Sequence, residues 1–427
     1  MKRVNVIGAG LAGSEACYFL LKKGYDVHLY EKRPNVMTPA HETGLFAELV
    51  CSNSLKSNRL DNACGLLKEE MRHMDSITMW AASQTNVPSG NALSVDRTAF
   101  AEKITAKLKD FSNLTIHNED VEVPPKGITI IATGPLTSDK LSLFLANKIG
   151  QESLFFFDAS APIVKKESIN MNIAYKKARY DQGDNSYINC PFSKEQYDAF
   201  YYELTHAELA KVHEFDKNYF EGCMPIEVLA KRGVDSMRYG PLKPKGLQIM
   251  DRPKAYAVVQ LRQDNSFGDL YNIVGFQTNL TYSEQKRVFR MIPGLENAEF
   301  VRYGLMHRNT YICSPIALNN DLSLKSDNNL FLAGQLIGVE GYVESAAMGI
   351  LAAAYLHMKF EEKELDEVPL KTMLGSLHSY VINADSKNFS PMNANFGILY
   401  GATRDNREEM INDALRLIDE WWDKVNA

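Results

Sequence analysis

Three glycines at a fixed spacing are the first residues in the chain whose types imply chemistry. Gly8-Ala9-Gly10-Leu11-Ala12-Gly13 follows the apolar run Val4-Asn5-Val6-Ile7 and opens residues 13–23, where apolar side chains recur at helical spacing. A second apolar run, Val27-His28-Leu29-Tyr30, ends at Glu31, 18 residues after Gly13. Strand, glycine turn, helix and strand make a βαβ unit suited to a dinucleotide. Gly8 permits the tight turn, Gly10 lets a pyrophosphate approach the backbone, and Gly13 lets helix pack on strand. The helix N-terminus offers unpaired N–H groups and a positive dipole. Glu31 is placed to accept from the adenosine ribose hydroxyls.

A second strand-turn-helix decides between dinucleotides. Phe331-Leu332-Ala333-Gly334-Gln335, then Gly338 and a helix from about Tyr342 that contains Gly349, suits the flavin end of FAD. A simple nicotinamide dehydrogenase has no use for it. No second G-x-G-x-x-G is present, so NAD(P)H is expected only at a transient site.

The elements that must position these residues are separated along the chain. A long irregular stretch from Arg33 to Asn62 precedes a helix near Ala63–Met74, and Ile128-Thr129-Ile130-Ile131-Ala132-Thr133-Gly134 reads as another buried strand. Beyond Gly150 the texture becomes aromatic and charged until the strand before Gly334. The expected fold is α/β: an FAD-binding, Rossmann-type (glutathione-reductase-like) domain of residues 1–150 and 321–427, with an inserted α+β domain over 151–320. Glu408 to Val425 has amphipathic helical spacing.

Composition sets limits on partners. Of 427 residues 45% are apolar and 23% charged, and no apolar run approaches the roughly 20 residues that span a bilayer, so a cytosolic protein without membrane insertion is expected. Six scattered cysteines show no metal-ligand spacing, so no metal is expected. With 47 basic and 53 acidic residues the net charge is −6, which leaves nucleic acid to a local patch.

Several longer segments resemble one family. These include Gly8-Ala9-Gly10-Leu11-Ala12-Gly13-Ser14-Glu15-Ala16, Phe46-Ala47-Glu48-Leu49-Val50-Cys51-Ser52-Asn53-Ser54-Leu55, Gly65-Leu66-Leu67-Lys68-Glu69-Glu70-Met71, Phe220-Glu221-Gly222-Cys223-Met224-Pro225 and Gly338-Val339-Glu340-Gly341-Tyr342. They run almost end to end and are similar to the TrmFO family, the FAD- and folate-dependent uracil-C5 methyltransferases also called the small form of glucose-inhibited division protein A.

The resemblance implies that NAD(P)H reduces FAD, that the flavin takes a methylene from 5,10-methylenetetrahydrofolate, and that the carbon passes to C5 of a uracil in RNA. Uracil C5 is a poor nucleophile until a thiolate adds at C6. By resemblance Cys223 adds to C6, and Cys51 is the second thiol, a base for the C5 proton or a partner in the covalent cycle. Cys17 and Cys64 on apolar helix faces, and Cys190 and Cys313, read as structural. Tyr342, and Arg308-Asn309 after His307, are family-like polar positions expected to face flavin or folate.

Lys231 to Arg262 carries eight basic residues (Lys231, Arg232, Arg238, Lys243, Lys245, Arg252, Lys254, Arg262) against Asp235 and Asp251, with Tyr239 and Tyr256 interleaved. Phosphate binding and base stacking by RNA fit that mixture, as does a solvated charged surface. Two departures from the family pattern concern the substrate. Tyr282, near Asn279, stands where tRNA-acting members tend to carry Trp; its ring still suits stacking on a pterin. Tyr400 stands where Pro is usual. Both tRNA and 23S rRNA therefore remain as substrates. The rival readings are a plain flavin oxidoreductase on a small molecule and a flavin-stabilised RNA-binding protein without catalysis.

Overall fold

The computed structural model describes residues 2–149, 154–159, 161–181, 185–210, 224–249, 252–264, 268–304, 306–386, 389–401 and 406–427, and in 154–159 and 306–309 the backbone alone. The first apolar run forms the strand Arg3–Ile7, with Val4, Val6 and Ile7 buried, at the heart of a six-stranded sheet. Asp26–Tyr30 and Thr129–Ile131 flank it in parallel. Leu114–His117 extends one side, Asp327–Leu332 the other, and Ser323–Leu324 closes that edge antiparallel. Parallel strands buried on both faces read as near-continuous apolar runs, which is why their positions are visible in the sequence.

The glycine turn leads into the helix Leu11–Lys22. It packs against Tyr342–Phe360, a helix buried on nearly every side. Gly349 makes this contact possible: a Cβ there would lie 2.2 Å from the Ala12 carbonyl oxygen. The expected helices near 63–74 and 408–425 are Ala63–His73 and Arg407–Asn426. The stretch 33–62 is not wholly irregular. Ser54–Ser57 forms a strand on Ala92–Val95, a pairing set by residues some 40 positions away and so invisible to local patterns.

The second sheet is antiparallel throughout. Its order is Tyr175–Lys176, Ile188–Phe192, Ala257–Gln263, Leu270–Ile273, Ile163–Lys165 and Phe300–Arg302. One face carries Ile188, Cys190, Val259, Leu261 and Ile273 into a core completed by Tyr197, Phe200 and Leu204 of the helix Lys194–His206. That core draws on residues from Val164 to Ala298, whereas the core around the parallel sheet draws on Val4 to Leu145 and Ile312 to Val425. The chain is thus mixed α/β with a parallel, Rossmann-like centre. Leu154–Ala159 and Met306–Tyr311 pair antiparallel where it passes between the two cores.

Candidate functional site

A cleft of roughly 1000 Å³, open solvent included, runs over the carboxyl ends of the parallel strands. Gly8, Gly10, Glu31, Arg33, Gly134, Gly334, Gln335 and Tyr342 are among its lining residues. The three glycines divide the work as their spacing implies. Gly8 has φ +98°, and a Cβ there would meet the Ala132 carbonyl oxygen at 2.6 Å. At Gly13 a Cβ would lie 1.8 Å from the Gly8 oxygen, so helix and turn touch. At Gly10 nothing lies within 4 Å of the Cβ position: the backbone faces open cleft, as an approaching pyrophosphate requires.

Glu31 is buried, and its Oε2 accepts from the Ala9 N–H at 2.8 Å. Arg33, which sequence reading left in the irregular stretch, holds the carboxylate: its Nε is 2.9 Å from Oε1 and its Nη2 3.2 Å from Oε2. Burial pushes the Glu31 carboxyl up. Hydrogen bonds and charge from Arg33, with the Arg33 and Ala9 backbone donors, outweigh it and leave the group below the usual carboxylate range. Arg33 Nη1 also reaches Glu48 Oε2 at 3.3 Å. An anion fixed at the end of the second strand is thus ready to accept ribose hydroxyls.

The other wall comes from the strand-turn-helix near the C-terminus. Gly334 takes φ +75°, and a Cβ there would lie 2.8 Å from the Ala12 Cβ. Gln335 lines the cleft and donates to Glu340 at 3.1 Å, while Gly338, at φ +85°, packs against the Phe389 ring. Tyr342 opens the long helix at the cleft end.

The Cys51 loop is tied to that residue. The Cys51 backbone N–H donates to the Tyr342 hydroxyl at 2.7 Å, and that of Ser52 does so at 3.2 Å. The loop is fixed from the antiparallel domain. Arg262 donates to Ser52 Oγ at 2.5 Å and to Asn53 Oδ1 at 3.2 Å, and Asn53 Nδ2 donates to the Gln263 carbonyl at 2.9 Å. Arg97 donates to the Leu49 carbonyl at 2.7 Å and pairs with Asp264 at 2.9 Å. Its buried Nε has no partner among the described residues. Arg97 carries no motif of its own, since it acts through partners distant in sequence.

Other expected residues lie elsewhere. Cys223 falls outside the described residues, and of Arg308 and Asn309 the structure describes only their strand. Tyr282 is 52% exposed, stacks on Tyr303 with ring centroids 5.0 Å apart, and is not among the cleft-lining residues. Lys231, Arg232, Lys243 and Lys245 are exposed. Arg238 lies 3.7 Å from the Tyr256 ring centre and pairs with Asp235 at 2.7 Å. Arg262, counted in the basic stretch, is buried at the Cys51 loop instead. Among the described residues no group of three or more His, Cys, Asp or Glu could hold a metal ion, and no helix is long and apolar enough to cross a membrane.

Parallel sheet, glycine turn and anchored acid define a dinucleotide-binding α/β protein with a second, antiparallel domain. Within that class the chain belongs to the glucose inhibited division protein A family, whose model matches residues 3–364. It is 56% identical over 403 residues, 94% of this chain and 92% of the relative, to a protein of Lactobacillus delbrueckii subsp. bulgaricus named methylenetetrahydrofolate–tRNA-(uracil-5-)-methyltransferase TrmFO. A protein of that name from Acetivibrio thermocellus is 55% identical over 421 residues, 97% of each chain. These relatives place the chain among the TrmFO enzymes. In fold it is similar to Aquifex aeolicus GidA, with TM-score 0.73, 16% identity, and coverage of 99% of this chain and 76% of that one.

Proposed function

We propose that the protein methylates C5 of a uracil in RNA, with FAD held in the cleft, methylenetetrahydrofolate as carbon donor and NAD(P)H as reductant. One observation carries this reading: the loop of Cys51 is bound, through its backbone N–H, to the hydroxyl of Tyr342, which lines the same cleft as the dinucleotide turn. A plain flavin oxidoreductase has no need of a thiol there. The relatives' names supply the folate and the tRNA. FAD bound in the cleft would supply the redox chemistry that converts a methylene to a methyl.

The chain's own residues then divide the task. Gly8, Gly10 and Gly13 shape the pyrophosphate seat, with the Leu11 and Ala12 backbone beside it, and Glu31 receives the ribose. Gly334, Gln335 and Gly338 form the flavin-side turn. Cys223 adds as thiolate to uracil C6, which makes C5 nucleophilic; once C5 has accepted the carbon and lost its proton, the C6–S bond breaks and the thiolate is released. Cys51 is the second thiol, acting on the C5 proton or in the covalent cycle. Residues 1–150 and 321–427 form the cofactor domain, and 151–320 the domain that meets RNA. Lys231, Arg232, Lys243 and Lys245 attract its phosphates, while Arg238 is already paired.

The test is incubation of the FAD-loaded protein with methylenetetrahydrofolate, NADPH and either unmodified tRNA or unmodified 23S rRNA fragments, with 5-methyluracil mapped by mass spectrometry. Methylation of tRNA is the outcome the relatives' names support. The departures at Asn279, Tyr282 and Tyr400 keep the ribosomal fragment as the second arm. No methylated uracil in either RNA would overturn the proposal.

A further inference from the structure

On the antiparallel domain, residues 240–248 lie beside the strand Ala257–Gln263, and Arg179 is one of the residues that hold them. Arg179 Nη1 donates to the Lys243 carbonyl at 3.0 Å and also to the Lys245 carbonyl, and its Nη2 donates to Gln260 Oε1 at 2.9 Å. Lys243 and Lys245 themselves are exposed and have no ion-pair partner among the described residues. Gly246 follows, at φ +84°, and a Cβ there would lie 2.8 Å from the Tyr180 ring. Tyr180 is 50% exposed, and its φ of +59° lies in the left-handed region that bulky residues avoid. A half-exposed ring on strained backbone is therefore held against the segment that carries two exposed lysines.

The place of this cluster on the sheet matters. Side chains alternate along a strand, so Gln260 and Arg262 share the face opposite the buried Leu261. Gln260 meets Arg179, and Arg262 meets Ser52 and Asn53 next to Cys51. With about 3.3 Å per residue along the strand and the reach of the side chains added, cluster and thiol lie roughly 20 Å apart on one face.

We propose that Tyr180, Lys243 and Lys245 form an anchoring subsite for RNA, with backbone phosphates on the two lysines and one base stacked on the tyrosine ring. Ammonium groups suit phosphodiesters, and an exposed aromatic face accepts any base. The separation from Cys51 means that the anchored nucleotide is not the reacting one, and that the target uracil is turned out of its stack to reach the cleft. An acidic protein would use the lysines and leave the exposed ring without a role. This inference rests on the methyltransferase reading, and its test separates the two.

FAD-loaded full-length protein is titrated with unmodified tRNA transcript and with 23S rRNA fragment between 50 and 300 mM salt. For the double variant Lys243→Ala/Lys245→Ala, the slope of log affinity against log salt should fall by about 1.5. Tyr180→Ala should weaken binding about tenfold at every salt with little change of slope, and Tyr180→Phe should restore it. The KM for RNA should rise in the alanine variants while kcat and flavin content hold. Wild-type affinity and slope in both alanine variants, with the wild type methylating normally, would overturn the subsite and leave the activity standing. A flavin-loaded wild type that methylates neither RNA would instead overturn the activity.

Discussion

The Tyr342 hydroxyl lies 2.7 Å from the backbone nitrogen of Cys51 and 3.2 Å from that of Ser52. Two N–H donors occupy its lone pairs, so its own proton must point away from the loop. Burial, then the neighbouring Cys51, push this hydroxyl far above the usual tyrosine range, which keeps it a proton donor at neutral pH. The tyrosine both orders the Cys51 loop and presents an O–H at the cleft end.

Tyr342→Phe should separate these roles from cofactor binding. The ring stays, two backbone donors lose their acceptor, and stability should fall by about 1–2 kcal/mol. We expect kcat to drop about 10²-fold while flavin content is unchanged. Unaltered turnover would remove the hydroxyl from the machinery.

Glu31→Gln should lower flavin retention, because Arg33 then keeps only Glu48 as a carboxylate partner. The folded Glu31 carboxyl titrates below its unfolded value, so its stabilisation is present above the unfolded value near 4.3 and is lost as pH falls through the lower folded one. Differential scanning from pH 8 to pH 3 should show wild type and Glu31→Gln converging only below about pH 4. Convergence already at pH 6 would contradict the assignment.

The glycines predict opposite phenotypes. Gly10→Val places its side chain in open cleft, so the apoprotein should keep its melting temperature and lose flavin. Gly13→Ala forces a Cβ to 1.8 Å from a carbonyl oxygen, and should destabilise the fold by about 3 kcal/mol or more. Thermal melts with flavin absorbance read both. Equal melting temperatures for the two variants would disprove the distinction.

Arg97 and Asp264 join the two domains through a buried pair, their side chains 12% and 6% exposed. Arg97→Met alone, or Asp264→Asn alone, should cost about 3–5 kcal/mol by stranding the partner, and the double variant Arg97→Met/Asp264→Leu should recover much of it. Denaturant melts of all four proteins complete the cycle. Additive losses would mean the pair is not coupled.

The dinucleotide turn was legible because its chemistry is local: glycine spacing, a strand before and an acid after fix Gly8, Gly10, Gly13 and Glu31 within one βαβ unit. What surrounds Cys51 was not, for a physical reason. Arg97 and Asp264 are 167 residues apart and Asn53 and Arg262 209 apart, so no window along the chain contains both partners. Charge counting assigned Arg262 to an RNA-facing stretch, but a count of cations carries no information on burial, and its guanidinium is spent on Ser52 and Asn53. The reverse holds for Glu408 to Val425, where amphipathic spacing alone located the helix Arg407–Asn426.

Thiol reactivity gives the last prediction. Cys17 and Cys190 have no exposed surface, and burial pushes both thiols far above the usual range; burial also raises Cys64 and Cys313. A thiol held protonated and away from solvent reacts slowly with alkylating agents, whereas Cys51 is half-buried in the loop bound to the cleft-lining Tyr342. Brief iodoacetamide treatment at pH 7.5 should therefore modify Cys51, leave Cys17 and Cys190 untouched, and abolish methyl transfer with flavin retained. Cys51→Ala should reproduce that loss by at least about 10³-fold with a melting temperature within about 2 °C of wild type, since its backbone N–H still reaches Tyr342 and only one half-buried sulfur is removed. Cys223→Ala should abolish turnover independently, with flavin retained. Peptide mass spectrometry locates the label, and modification of Cys17 or Cys190 before Cys51, or near-wild-type turnover by Cys51→Ala, would take Cys51 out of the reaction.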